Sequence, residues 1–223
     1  MFDRLINLIG VENFNKIENT NILVLGCGGV GGHAIEALVR SGIKKITVVD
    51  DDVIDKTNIN RQIIALNSTI GQKKVCVIKE RMLDINPTLN VTTIEKRLDS
   101  ENIYKLNLEN YDYIVDAIDD TKVKIELIKF SLEKKIKLIT ATGTAKKMHP
   151  EMLKITTLDK TRGDALARKL RTSLKGYDLK KIVCLASEEA PIKTENDTLG
   201  STAFTPPVGG LLIAGYIIND VIK

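Results

Sequence analysis

Hydrophobic positions in the first two thirds of the chain switch between short unbroken runs and helical spacing, and that alternation predicts most of the elements. Phe2, Leu5, Ile6, Leu8 and Ile9 recur at helical spacing until Gly10, so a short amphipathic helix carrying Arg4 opens the sequence. The apolar run Ile22–Leu25 breaks at Gly26, passes through Gly28, Gly29 and Gly31, and becomes a helical pattern at Ala34, Ile35, Ala37, Leu38 and Val39. This is strand, glycine turn, helix. A second run, Ile46–Val49, stops at the acidic triplet Asp50, Asp51 and Asp52. After residues 55–66 (DKTNINRQIIAL), which lack strand alternation, a helix starts near Gly71 and stops before Pro87. Val91–Ile94 and Tyr113–Ala117 read as strands three and four, the latter closing on Asp116, Asp119 and Asp120. Lys122–Lys134 reads as a helix and Leu138–Ala141 as a fifth strand. Strands alternating with helices of this length predict the α/β class: a doubly wound, Rossmann-like, mostly parallel sheet with helices on both faces. A ligand of such a sheet belongs at the carboxyl ends of the strands, where Gly26, Asp50, Asp52, Asp119 and Thr142–Thr144 fall.

Past Pro150 the texture changes. Met152–Thr157 reads as a strand, and Thr161–Leu174 as a basic helix with Leu166, Leu170 and Leu174 on one face. Residues 159–181 hold eight Lys or Arg against three Asp, while the whole chain carries a net charge of only +4, so positive charge is concentrated in this one segment. As a bare pattern, such a segment is more often a solvated face than a nucleic-acid surface. Residues 188–200 (EEAPIKTENDTLG) are polar and turn-rich and read as a loop; residues 202–222 return to apolar character and suit the core or a dimer interface. At 223 residues and 43% hydrophobic, the chain suits a single domain spanning 1–223. Cys27, Cys76 and Cys184 are widely spaced and offer neither a disulfide framework nor a paired zinc site, which fits a reducing cytoplasm. No basic-then-apolar leader is present, and the longest apolar stretch, 208–218, is too short to span a bilayer; a soluble protein without membrane contact is expected.

The glycine turn carries the first chemistry. Glycines let the backbone approach a phosphate chain, the free N–H groups and dipole of the following helix favour its charge, and an acid ending the second strand can hydrogen-bond a ribose. The turn alone says nucleotide and leaves its identity open, with nicotinamide-dependent enzymes the commonest owners. Other positions narrow it. Asn58 and Arg61 follow the ribose acid by a short loop, Lys74 sits at a helix start, and Asp119 ends a later strand. Taken alone, Lys74 is an ordinary helix-start lysine and Asp120 a plain helix cap. Together the cations would neutralise a triphosphate and a carboxylate would hold Mg²⁺, which takes oxygen ligands. Hydride transfer needs none of this.

The succession GxGGxG (Gly26, Gly28, Gly29, Gly31), D-x-D (Asp50, Asp52), N-x-N-R-Q (58–62), G-x-x-K (71–74) and D-x-x-D (116–119) resembles the ThiF-type adenylating superfamily, which includes sulfur-carrier and ubiquitin-activating enzymes. Residues 143–150 (GTAKKMHP), 161–170 (TRGDALARKL) and 187–191 (SEEAP) resemble, within it, the tRNA threonylcarbamoyladenosine dehydratases. The resemblance implies ATP and Mg²⁺ as cofactors and a homodimer acting on tRNA that carries threonylcarbamoyladenosine. It puts Gly28 and Gly29 at the phosphates, Asp50 at the ribose, Asn58, Arg61 and Lys74 on ATP, and Asp119 on the metal. It matches Arg4 to an arginine supplied across the dimer interface. The catalytic set implied is Arg4, Arg61, Lys74 and Asp119, with segment 159–181 facing the tRNA. The chemistry implied is adenylation of the threonylcarbamoyl carboxylate followed by internal ring closure. The sulfur-carrier activators usually carry two CxxC pairs, absent here, which weighs against the alternative of activating the C-terminus of a ubiquitin-like sulfur carrier. Gly200, Ser201 and Thr202 lie where some dehydratases have a cysteine, and no cysteine is expected in catalysis.

Overall fold

The computed structural model describes residues 1–193 and 200–223. Two short helices, α1 (Asp3–Ile9) and α2 (Val11–Asn19), precede strand β1 (Asn21–Leu25), helix α3 (Gly31–Arg40) and strand β2 (Lys45–Val49). Then come α4 (Lys74–Ile85), β3 (Asn90–Ile94), β4 (Tyr113–Asp116), α5 (Thr121–Lys134) and β5 (Lys137–Ala141). The last third supplies β6 (Leu153–Thr157), α6 (Ala165–Ser173), β7 (Val183–Ser187) and α7 (Thr205–Val221). One seven-stranded sheet has the order β3-β2-β1-β4-β5-β7-β6, parallel throughout except for β6, which runs antiparallel to β7. The doubly wound reading therefore stands, with one reversed edge strand.

Alternation along the buried strands sends side chains to two apolar layers. Ile22, Val24, Ile46, Val48 and Val115 pack with Ile35 and Leu38 of α3, Ile78 and Met82 of α4, and Ile213 and Ile217 of α7. On the opposite face Leu23, Leu25, Val49 and Ile114 meet Val123 and Leu127 of α5. Leu170 and Leu174 continue that layer with Ile128, Cys184 and Ala186, so α6 buries the apolar side foreseen for it and leaves Arg168 and Lys169 exposed.

Three elements were not foreseen. Helix α2 follows Gly10 (φ 82°) and packs Phe14 against Phe2, ring centroids 5.2 Å apart. Strand β7, a brief apolar run, is wedged between β5 and β6. Helix α7 is apolar on nearly all sides and holds prolines in its first turn, where a missing N–H costs nothing. It lies so close to α3 that a Cβ on Gly210 would sit 2.4 Å from the Val30 carbonyl oxygen. No helix among the described residues is long and apolar enough to cross a membrane. The loop expected at 188–200 falls partly outside the described residues, since 194–199 are not among them.

Candidate active site

A cleft of about 400 Å³ opens at the carboxyl ends of β1, β2 and β4, lined by Gly26, Gly28, Gly29, the triplet Asp50–Asp52, Asn58, Arg61, Lys74 and Asp119. Every residue expected at the nucleotide lines it except Gly31 and Arg4. Gly31 starts α3 and is excluded from having a side chain by packing, because its Cβ would lie 1.9 Å from the Gly26 carbonyl oxygen. Gly26 itself adopts φ 95° and presses against the backbone of Ala117, 2.7 Å from its own would-be Cβ. Arg4 sits exposed on α1, which buries none of its residues, and is not among the groups lining this cleft.

Asp50 braces the turn from the end of β2. Its Oδ2 accepts the Cys27 N–H at 2.6 Å and its Oδ1 accepts the Asp52 N–H at 2.9 Å. Burial pushes its carboxyl up from the ordinary range, and these bonds only partly offset it. Each oxygen keeps a second lone pair for a further donor. The N–H groups of Gly28, Gly29 and Val30 have no partner among the described residues, which leaves a set of donors at the start of α3 for an anion. Lys74, the first residue of α4, is buried, and its Nζ donates to Asp52 Oδ2 at 2.7 Å. A cation at a helix N-terminus is opposed by the helix dipole, and Asp52 offsets that cost. This burial distinguishes Lys74 from an ordinary helix-start lysine. Arg61 donates from one nitrogen to the Thr57 carbonyl and to Asn60 Oδ1, which aims the guanidinium along the cleft wall.

Asp120 takes the capping role expected of it at the start of α5, accepting from Lys122 and Val123 N–H. Asp119 is exposed and its carboxylate has no hydrogen bond or ion pair among the described residues. A hard divalent cation such as Mg²⁺, which needs oxygen donors and keeps several waters, fits this free carboxylate. The neighbouring triplet Asp50–Asp52 brings its carboxylates together, but Asp50 is committed to two N–H groups and Asp52 to Lys74.

A second cleft of about 510 Å³ adjoins the first and shares Gly29, Arg61, Ala117, Ile118 and Asp119 with it. Its far wall is Ala141–Lys147, Asp164–Leu166, Pro191, Ser201 and Pro206. The three later segments singled out in the sequence thus meet here. Glu189 ties two of them, 143–150 and 187–191: its carboxylate accepts the N–H groups of Met148 and His149, while its carbonyl accepts from the buried Lys147 ammonium. Burial pushes the Glu189 carboxyl up, and the N–H donors of Met148 and His149 more than reverse this, so it titrates below the usual glutamate range. Asp164 caps α6 and lies against Gly143, whose would-be Cβ is 2.8 Å from its Oδ2.

Sequence reasoning quoted Gln62 in a motif without giving it a role and passed over Lys96 and Arg97; all three line the first cleft. Gln62 is buried with an unpartnered Oε1, an orphan that a ligand in the cleft can satisfy. Lys96 and Arg97 lie just past Glu95 at the end of β3, and the rule that ligands gather at strand carboxyl ends was the available signal. Burial pushes Cys27 well up and Cys184 to about 12, and neither is a thiolate at neutral pH. Cys76 is exposed on α4 and lines neither cleft. A cavity of about 530 Å³ at the other end of the sheet is lined by Tyr113, Lys137 and Asp220, whose polar groups satisfy one another.

The ThiF family matches residues 2–220. A tRNA threonylcarbamoyladenosine dehydratase of Bacillus subtilis (strain 168) is 37% identical, over 96% of this chain and 92% of that protein. Crystal structures of the E. coli tRNA N6-threonylcarbamoyladenosine dehydratase TcdA, one in complex with AMP and one with ATP, are 32% identical and superpose with a TM-score of 0.93, over 99% of this chain and 93% of the other.

Proposed function

The chain belongs to the ThiF family, and on that footing we propose that it is an ATP-dependent tRNA threonylcarbamoyladenosine dehydratase. One observation carries this reading: a nucleotide-type cleft, with its glycine turn, Lys74 and Arg61, opens through shared residues into a second cleft built from the segments that resemble the dehydratases. ATP occupies the first cleft and the modified adenosine the second. Gly28 and Gly29 N–H groups hold phosphate oxygens, Asp50 the ribose, and Asn58, Arg61 and Lys74 the triphosphate. Lys74 exchanges Asp52 for phosphate when ATP enters. Mg²⁺ held at Asp119, when bound, neutralises charge on the phosphates.

A carboxylate and a triphosphate repel until cations stand between them. Arg61, which lines both clefts, lets the threonylcarbamoyl carboxylate approach the α-phosphorus, where it forms a new C–O–P link as pyrophosphate departs. A nitrogen of the same modification then attacks the activated carbonyl, loses its proton and expels AMP. The balance is ATP to AMP and pyrophosphate, with loss of water from the modified base. Because the nucleophile is already tethered, no enzyme thioester is needed. The reaction belongs to the cytoplasm, where the tRNA is found, and the basic segment 159–181 lies along tRNA phosphates.

Labelled ATP incubated with the protein and bulk tRNA should give AMP only when tRNA is added. AMP formation stimulated instead by a sulfur-carrier protein would replace this reading. Arg4, exposed on the peripheral helix α1, acts from the second subunit of a homodimer. Mixed subunits carrying Arg4→Ala and Asp119→Ala should regain activity that each lacks, since one composite site is intact; no recovery despite subunit exchange would remove Arg4 from the site.

A further inference from the structure

Asp119 is held by nothing of its own, so its position is set by the residues on either side. After it, Asp120 is fixed as the cap of α5. Before it, Asp116 ends β4 with its side chain wholly buried. Asp116 Oδ1 accepts from Lys124 Nζ at 2.9 Å, and Oδ2 accepts from Thr140 Oγ1 at 2.6 Å. Lys124, one turn into α5 and equally buried, also donates to the Asp116 carbonyl and to Thr140 Oγ1, both at 3.3 Å. All three ammonium protons have an acceptor.

A buried ion pair is often no more stabilising than apolar groups of the same volume, so complete pairing here argues for geometry more than for stability. The network joins three strand and helix ends at the boundary of the two clefts. Ala117 and Ile118, next to Asp116, line both; Ala141–Lys147, next to Thr140, line the second. Ala117 also donates its N–H to the Leu25 carbonyl and braces Gly26.

We propose that Lys124, through Asp116 and Thr140, is the positioning residue for Asp119, setting where the metal-binding carboxylate stands between the two clefts. This rests on Asp119 as the metal carboxylate in the function proposed above. The test replaces both charges at once, Asp116→Asn with Lys124→Met, and follows Mn²⁺ binding to the protein–ATP complex by electron paramagnetic resonance, with thermal melting as the check on folding. In the folded variant ATP affinity should stay within about threefold while Mn²⁺ affinity falls about tenfold, and adding Asp119→Ala should change it by less than about twofold. Wild-type Mn²⁺ affinity in the folded variant, a loss that multiplies with that of Asp119→Ala, or no effect of Asp119→Ala itself would each overturn the assignment. If the pair variant does not fold, Thr140→Val takes its place, with a loss of about threefold that Thr140→Ser restores. The metal measurement needs no tRNA. A wild-type protein that binds Mn²⁺ as described but makes no tRNA-dependent AMP would sink the dehydratase reading and leave this one standing.

Discussion

The first cleft takes Gly26, Gly28, Gly29 and the acidic triplet from one continuous stretch of strand, turn, helix and strand, whereas the second gathers residues 141–147, 164–166, 191, 201 and 206 from across the last third of the chain. The first is held by backbone packing: glycine against carbonyl, Asp50 against N–H. The second is held by side chains that reach across, above all Glu189 on Met148 and His149. The locally built turn leaves no room for an added atom at Gly26 and Gly31, while the cleft of long-range origin depends on single polar ties.

The difference can be broken in order of effect. Gly31→Ala should cost more than about 4 kcal/mol or prevent folding, because a methyl at 1.9 Å from a carbonyl oxygen has nowhere to go. Gly28→Ala is its counterpart, since the nearest group to its Cβ is the Gln62 side chain at 3.9 Å. It should melt like the wild type yet bind ATP about tenfold more weakly by calorimetry, as the methyl enters the space the phosphates use. Equal melting of the two variants would erase the distinction.

Glu189→Gln probes the other cleft. Removing a buried, hydrogen-bonded charge should destabilise by about 1–3 kcal/mol at neutral pH and slow tRNA-dependent AMP formation while leaving ATP affinity unchanged. The sign with pH follows from its lowered carboxyl: the stabilisation is complete above the unfolded value, about 4.3, and is lost as pH falls through the folded one, so the two melting curves should converge there. Asp50 runs the other way. Its raised carboxyl favours the folded state at low pH and costs stability as pH rises through it. A gap between wild type and Glu189→Gln that persists in acid would show that the charge is not what ties the segments.

The smallest effect concerns the surface beside the second cleft. Arg171 is turned inward to Thr161, but Arg168 and Lys169 are exposed. Replacing these two by Ala should lower the slope of log affinity for tRNA against log salt by roughly one to two, with ATP binding unchanged. An unaltered slope would move the tRNA elsewhere.

How much of this could be read beforehand follows the same division. Strand, glycine turn and acid triplet lie within reach of local periodicity, and the first cleft was legible nearly residue by residue. Lys74 was legible as a position; its burial was not, because that depends on Asp52 some twenty residues away. β7 was missed because a short apolar run suits a buried strand or a helix segment equally. α7 was missed because a helix buried on most sides shows no polar stripe, and its prolines and glycines mimic a loop. Glu189 stood within a quoted motif, yet its partners are forty residues earlier and nothing in its neighbourhood names them. The Asp116–Lys124 pair is eight residues apart across the β4–α5 junction and needs Thr140 to complete it, so spacing alone could not mark it.

The sheet order also carries a consequence for how the protein comes into being. β7 lies between β5 and β6 although it follows both in the chain. As the chain emerges during synthesis, the strands β3, β2, β1, β4 and β5 are all present by residue 141. β6 has no place against β5 until residues 183–187 arrive to be threaded in between. Both closures wait for the end of the chain: β7 must enter between β5 and β6, and Ile213 and Ile217 of α7 must cover the layer over β1 and β2.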